Sequence, residues 1–245
     1  MTDSVGIAFI GAGAISELHA AGIAACPAAR LVSLYDIDPQ RAADTARAYG
    51  CLAAESIDAL LDDPAVKAVF VLSPVELHHQ HALAALKAGK HVLVEKPVGM
   101  SRAQVQDISA TAKASGCLCM PGHNYIYEPG VIRLKNLIDR GSFGQIVSAW
   151  ILYTIYHARP VAAKYPGVLR QIMTHHLYSL LYLLGKPVQI SAMATETRIE
   201  KLNREDQATL ILQMESGALV NLFASFAADD QTSDPWTVLF KVLGT

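Results

Sequence analysis

The stretch VGIAFIGAGAIS, residues 5–16, decides the fold. An apolar strand pattern runs into Gly11-Ala12-Gly13-Ala14-Ile15-Ser16, and a helical pattern follows. Two glycines at this spacing allow a tight turn and close backbone approach to a pyrophosphate. The N-terminus of the following helix, opened by Ala14 and Ile15, favours the negative charge. The motif is GxGxxS rather than GxGxxG, so its weight comes from position, at the start of a βαβ unit. The next strand, 31–35, ends at Asp36, close to where a ribose-binding carboxylate belongs. Asp36 reads as that carboxylate or as a turn acid. Asp38 reads as an N-cap, with Pro39 at the first helical position and Gly50 closing the helix.

Outward from there, strand and helix signals alternate. Strands are expected at 51–54, 65–73, 91–95 and 117–120. Helices are expected from Ser56, over 76–88, and from Ser101 to Gly116, where Ser101 and Gln104 have capping-box spacing. This alternation predicts a doubly wound parallel sheet with right-handed crossovers, an α/β class. The second half is β-rich. Helices are expected at 130–139 and 170–184. Strands are expected at 145–157, 188–198, 206–214, 218–226 and 236–243, with a hairpin turn at 215–217. The reading is a dinucleotide-binding Rossmann domain over 1–122. Residues 123–245 form an α+β substrate-binding and oligomerisation domain with an open, mostly antiparallel sheet. The chain stops directly after a strand, so that sheet is expected to be truncated or to be paired by something else.

Composition limits the function classes. The 245 residues are 52% hydrophobic and 17% charged, which suits a packed core rather than disorder. Net charge is −2 with no basic tract, so nucleic acid is not an expected partner. No basic segment precedes the first apolar run, and no apolar stretch approaches the ~20 residues of a membrane helix. The expected compartment is the cytoplasm, and Cys26, Cys51, Cys117 and Cys119 are expected as buried free thiols.

Chemistry-bearing residues cluster at strand ends. HVLVEKPV, residues 91–98, is a buried strand ending in Glu95 and Lys96 beside Pro97. A lysine there sits where open α/β sheets bind ligands; the plainer reading of Glu95 and Lys96 is a surface ion pair. Ser73-Pro74 ends the preceding strand at the same edge and turns the chain over a cofactor crevice. His78 either lines that crevice or is a solvated helix-start histidine. His78 and His81 share a helix face, but without a third ligand no metal is expected. In the second half, Gln171 and His175 lie four apart on an otherwise apolar helix, with His176 beside them. His123, Asn124, Tyr125 and Tyr127, with Tyr153, Tyr156 and His157, offer hydroxyls, amides and flat faces suited to a polyhydroxylated ligand.

Five segments together resemble the glucose–fructose oxidoreductase, inositol dehydrogenase and rhizopine-catabolism (Gfo/Idh/MocA) family. They are GAGAISELHA, YDIDPQRA, LSPVELHHQHALAALKAGKHVLVEKPV, YEPGVIRLKNLIDRGSFGQI and GVLRQIMTHHLYSLLYLLG, in family order. The resemblance implies NAD or NADP in the crevice, Lys96 contacting cofactor and substrate, and His175 as acid/base. Gln171 stands where the family often has aspartate. Ile126 stands where it often has arginine, and members usually run beyond Thr245. The expected activity is hydride transfer between a sugar or cyclic polyol and nicotinamide, with NAD preferred through Asp36. Two alternatives remain: glycoside cleavage through transient oxidation, and dinucleotide binding without catalysis. A homo-oligomer through the second sheet is expected, with Val220, Leu222, Val238 and Phe240 as candidate contributors.

Overall fold

The computed structural model describes residues 4–197, 201–228 and 236–245. The chain divides into two compact units, Met1–Gly122 and His123–Thr245.

In the first unit the strands are β1 (Val5–Ile10), β2 (Ala29–Tyr35), β3 (Leu52–Ala53), β4 (Ala68–Val71), β5 (His91–Val94) and β6 (Cys119–Pro121). They form one parallel sheet in the order β3-β2-β1-β4-β5-β6, the doubly wound dinucleotide-binding order. The period-2 alternation of β1 explains the layering. Ile7 and Phe9 join a core with Ile23 of α1 (Ile15–Ala24) and Ala42 and Ala46 of α2 (Pro39–Tyr49). Ala8 and Ile10 join the opposite core. That core contains Leu60 and Leu61 of α3 (Ile57–Asp62), Ala82, Ala85 and Leu86 of α4 (Val75–Lys87), and Ile108 and Ala112 of α5 (Arg102–Ser115).

The helix ends follow their caps. Asp38 accepts from the amides of Gln40 and Arg41, and Gly50 closes α2 in the left-handed region at φ 69°. Ser56 caps α3 and Ser101 caps α5. The capping box at α5 is half realised: Gln104 Oε1 takes the Met100 amide at 2.7 Å, one residue earlier than a reciprocal box requires. Strand β4 is shorter than the apolar run 65–73. Before it a turn is closed by Val66 N bonding Asp63 O; after it Leu72 N still bonds Ile10 O of β1, and the chain bends out of the sheet at Ser73.

In the second unit, a 3₁₀ turn (Asn124–Tyr127) leads into α6 (Pro129–Asp139) and β7 (Ile146–Ile155). A short α7 (Arg159–Ala162) and a wide π-type turn (Leu169–Met173) precede α8 (Thr174–Leu184). Strands β8 (Pro187–Thr195), β9 (Gln207–Met214), β10 (Leu219–Ser225) and β11 (Trp236–Gly244) complete a sheet in the order β11-β7-β10-β9-β8. It is mixed: β10 runs parallel to β7 and all other pairs are antiparallel. The expected strand end at Arg198 lies outside the described residues. Gly217, at φ 87°, makes the β9–β10 hairpin, with Met214 N bonded to Ala218 O at 2.9 Å.

One sheet face packs under α8 and the wide turn. Ile151, Leu210, Leu212, Val220, Leu222 and Ala224 meet Ile172, Met173 and Leu180 there. This corrects the assignment of oligomer contacts. Val220 and Leu222 are fully buried and Phe240 packs against the same core, while Val238 shares their parity. The opposite face carries Ile211, 50% exposed, Leu219, 51% exposed, and Met193, 74% exposed, with Trp150 and Leu239. Thiol burial also differs from expectation. All four cysteines are free, but Cys26 is exposed and the others are partly buried.

Candidate active site

The carboxyl edge of the parallel sheet gathers most of the residues singled out in the first unit. Ile10 aligns with Tyr35 and with Val71, and Val71 with Val94. The chain therefore leaves β1, β2, β4 and β5 side by side at Gly11, Asp36, Leu72 and Glu95. Gly11 is at φ 109°, and a Cβ there would stand 2.7 Å from the Leu72 carbonyl carbon. Only glycine fits this close approach. Gly13 meets nothing within 4 Å of where its Cβ would be. Ala14 caps α1 with no side-chain hydrogen bond, and Gly13, Ala14 and Ile15 are exposed. A helix N-terminus left bare of a side-chain cap, over an open glycine, fits a dinucleotide pyrophosphate.

Asp36 is tied to that turn. Its Oδ2 accepts from Ala12 N at 2.8 Å, and its Oδ1 accepts from Asp38 N at 2.9 Å and Arg41 Nη2 at 2.6 Å. Burial works against its charge, but these hydrogen bonds and the guanidinium outweigh it and hold the carboxyl below its ordinary value. Asp36 is thus both a turn acid and a pre-placed anion, with Ile37 almost fully exposed beside it.

At the end of β5, Glu95 receives His19 Nε2 on Oε1 at 2.9 Å and the Lys96 amide on Oε2 at 2.9 Å. Burial pushes Glu95 up, yet the bonds from His19 and the Lys96 amide, with the charges of His19 and Lys96, bring it below the usual range. His19 packs edge-on to Phe9 and Phe70. Gly122 lets β6 pass, because a Cβ there would sit 3.1 Å from Glu95 Oε1. Burial pulls the Lys96 ammonium below the ordinary lysine value, opposed by Glu95. The Lys96–Pro97 bond is cis. Ser73 Oγ meets His81 Nδ1 at 2.9 Å, and its carbonyl meets His78 Nε2 at 2.7 Å. His78 is 2% exposed, which excludes the solvated reading.

In the second unit His175 lies in a stack of rings. Tyr125 stacks on it at 4.4 Å, and His123, edge-on to it at 6.3 Å, stacks on Tyr178 at 4.1 Å. Burial, then Glu128, pushes the Tyr125 hydroxyl up. Tyr153 is buried on β7; burial, then Tyr125 and Tyr165, raises its hydroxyl well above the tyrosine range. His176 is fully buried beside Tyr153, and burial pushes it down to about 4. Among the described residues its two ring nitrogens have no hydrogen-bond partner. His157 packs with Tyr165 and Phe226. Asn124 is exposed at the start of the 3₁₀ turn. Gln171 lies in the wide turn, its backbone N–H donating to Gly167 O at 3.0 Å. The stretch from Gln171 to His175 therefore crosses from wide to α winding, so their spacing departs from a simple one-turn face. Among the described residues, no group of three or more His, Cys, Asp or Glu side chains could hold a metal.

His19, Tyr165 and Tyr178 escaped the sequence reading as site residues. His19 meets a partner 76 positions away, which no local pattern shows. Tyr178 was legible in principle, being three residues beyond His175 on one helix.

The sheet order, the bare glycine turn and the anchored Asp36 define an NAD-binding Rossmann domain, joined in this chain to a mixed-sheet unit. A family model described as "Oxidoreductase family, NAD-binding Rossmann fold" matches residues 5–123, and the "GFO/IDH/MocA C-terminal domain" model matches residues 131–245. The chain belongs to the Gfo/Idh/MocA oxidoreductase family. It is 37% identical to glucose-6-phosphate 3-dehydrogenase of Bacillus subtilis (strain 168), over 58% of this chain and 40% of that one. It is 28% identical to inositol 2-dehydrogenase of Rhizobium meliloti (strain 1021), over 87% of this chain and 66% of that one. The chain thus spans less than two thirds of the length of either relative. Among solved structures, GenD2 from gentamicin A biosynthesis in complex with NAD matches with TM-score 0.88 and 25% identity. That match covers 100% of this chain and 71% of the other. No helix among the described residues is long and apolar enough to cross a membrane.

Proposed function

We propose that this protein is an NAD-dependent dehydrogenase acting on a carbinol of a sugar or cyclic polyol. The observation that carries the reading is the end of β5. There a lysine partly withdrawn from water follows a carboxylate fixed by His19 and by the lysine's own amide. In the substrate complex Lys96 donates a hydrogen bond to the reacting oxygen and stabilises negative charge developing on it. His175, oriented by its stack on Tyr125, takes the hydroxyl proton. Gly11, Gly13, Ala14 and Ile15 hold the pyrophosphate, and Asp36 takes the adenosine ribose. Ser73, Pro74, His78 and Glu95 shape the wall nearer the reactive end. Bound NAD supplies the hydride acceptor, and the protein supplies placement and proton handling. Tyr125, Tyr153, Asn124, His157 and His176 belong to the part that meets or frames the substrate. Relatives named as sugar and inositol dehydrogenases support the substrate class. The active form is a homo-oligomer through the open face of the second sheet.

The test is NADH formation by the purified chain across a panel of sugars and cyclic polyols. One NADH per substrate oxidised supports the reading. Glycoside cleavage without net NADH would replace it with the transient-oxidation route.

A further inference from the structure

His78 has an unusual pair of partners. Its Nε2 is 2.7 Å from the Ser73 carbonyl oxygen and its Nδ1 is 2.8 Å from the Pro97 carbonyl oxygen. Both partners are acceptors only. A neutral imidazole has one N–H and one lone pair in either tautomer. It would therefore turn a lone pair toward one of these oxygens at hydrogen-bond distance. Only the form protonated on both nitrogens makes both bonds, and such charge-assisted bonds are the stronger kind. The two carbonyls lie in the chain segments that leave β4 and β5, and the second is one residue beyond Lys96. We propose that His78 is held as an imidazolium and is a positioning residue, a cationic clasp that fixes the Lys96 turn against the Ser73 turn.

Burial works against a charge at His78, so the clasp requires that the two carbonyl bonds outweigh it. Titratable groups on the elements around His78 are Glu76, His79, His81 and Lys87 on α4, His91 in β5 with Glu95 and Lys96 at its end, and Arg102, Asp107 and Lys113 on α5; β4 carries none. Glu95 is engaged by His19 and the Lys96 amide, and Asp107 by His79 at 2.8 Å. Among the described residues no carboxylate stands within salt-bridge distance of His78. The two carbonyl dipoles are thus its counter-charge. His81, one helical turn on, is pushed toward the neutral form by burial and then by the charge of His78. Loss of the His78 proton converts one tie into a repulsion and releases one of the two turns.

The effect on catalysis rests on the proposed role of Lys96, but the clasp does not, so the two are tested separately. Nitrogen-15 spectra of the full chain, labelled at histidine, report each ring. His78→Gln assigns the signal; if that variant fails to fold, His79→Gln and His81→Asn assign their own rings and leave His78 by elimination. At about pH 7.5, one unit above the ordinary histidine value of ~6.5, both His78 nitrogens should carry protons. The Lys96 amide resonance should shift with the same midpoint when His78 finally titrates. A single protonated nitrogen at that pH overturns the clasp, and a Lys96 amide indifferent to the titration overturns the positioning role. With a confirmed substrate, folded His78→Gln should lose about tenfold or more in kcat and keep NAD affinity within about twofold. An unchanged kcat and pH–rate profile would also overturn the positioning role. If no substrate is turned over, the dehydrogenase reading fails while the two spectral outcomes still decide the clasp.

Discussion

At the residue scale, the proposal gives the reacting oxygen two protein partners, Lys96 as hydrogen-bond donor and His175 as proton acceptor. Lys96→Ala and His175→Ala should each lower turnover by ~10²–10⁴, the usual reach of a general acid–base group. NAD affinity should stay within a few-fold, because the proposal assigns the remote end of the cofactor to Gly11, Gly13 and Asp36. Steady-state kinetics with a confirmed substrate, beside NAD titration, separates the two effects. Turnover by either variant at the unmodified rate would remove that residue from the mechanism. Asp36 makes a second test. Its carboxyl is held charged by Arg41 and two amides, so it should repel a 2′-phosphate, although Arg41 offers partial relief. NAD should bind at least about tenfold tighter than NADP, a difference of about 1.4 kcal/mol. Arg41→Met should widen the gap and Asp36→Asn should narrow it. Tighter NADP binding to the unmodified protein would contradict the assignment.

At the element scale, local chemistry was readable wherever one residue decides a boundary. Asp38 with Pro39, Ser56, and the closing Gly50 and Gly116 place their helix ends as expected. Boundaries set by partners elsewhere were not readable. The apolar run 65–73 could not show where β4 begins and ends, since those limits are set by its pairing with β1 and β5. The wide turn at Leu169–Met173 is likewise hidden, because π-type and α winding share the same apolar periodicity over five residues. Nor could alternation say which face of β10 meets α8. Helix α8 also carries a pH liability. His176 is fully buried with its folded-state value near 4, below the ordinary 6.5. Between those values the unfolded chain binds a proton that the folded one does not, so stability falls as pH falls through that window. The loss reaches about 3 kcal/mol by the per-unit conversion. Urea unfolding between pH 7 and about 4 should show it, and His176→Leu should flatten the slope there. An equally steep slope in His176→Leu would place the acid sensitivity elsewhere.

At the scale of the whole molecule, the doubly wound parallel sheet was legible because alternating strand and helix signals restrict topology strongly, and the family was legible from five motif segments in order. The His19–Glu95 contact was not, because it joins two strand ends through the third dimension. The open face of the second sheet is the feature with the largest unmet demand. Ile211, Leu219, Met193, Trp150 and Leu239 project from it, an apolar set of the kind that marks an interface. The protein should sediment as a homo-oligomer at micromolar concentration, and Ile211→Glu together with Leu219→Glu should shift it toward monomer without loss of secondary structure. A clean monomer for the unmodified chain would refute the oligomer.

The most direct test of the central claim is the cofactor's fate in a single reaction vessel. The protein is incubated with NAD and each of a panel of sugars and cyclic polyols, and NADH and oxidised product are both quantified. The account predicts at least one substrate giving NADH and ketone in equal amounts, with that signal reduced by ~10²–10⁴ in Lys96→Ala. NAD binding without NADH from any member of the panel would contradict it, and would leave this chain a dinucleotide-binding protein rather than a dehydrogenase.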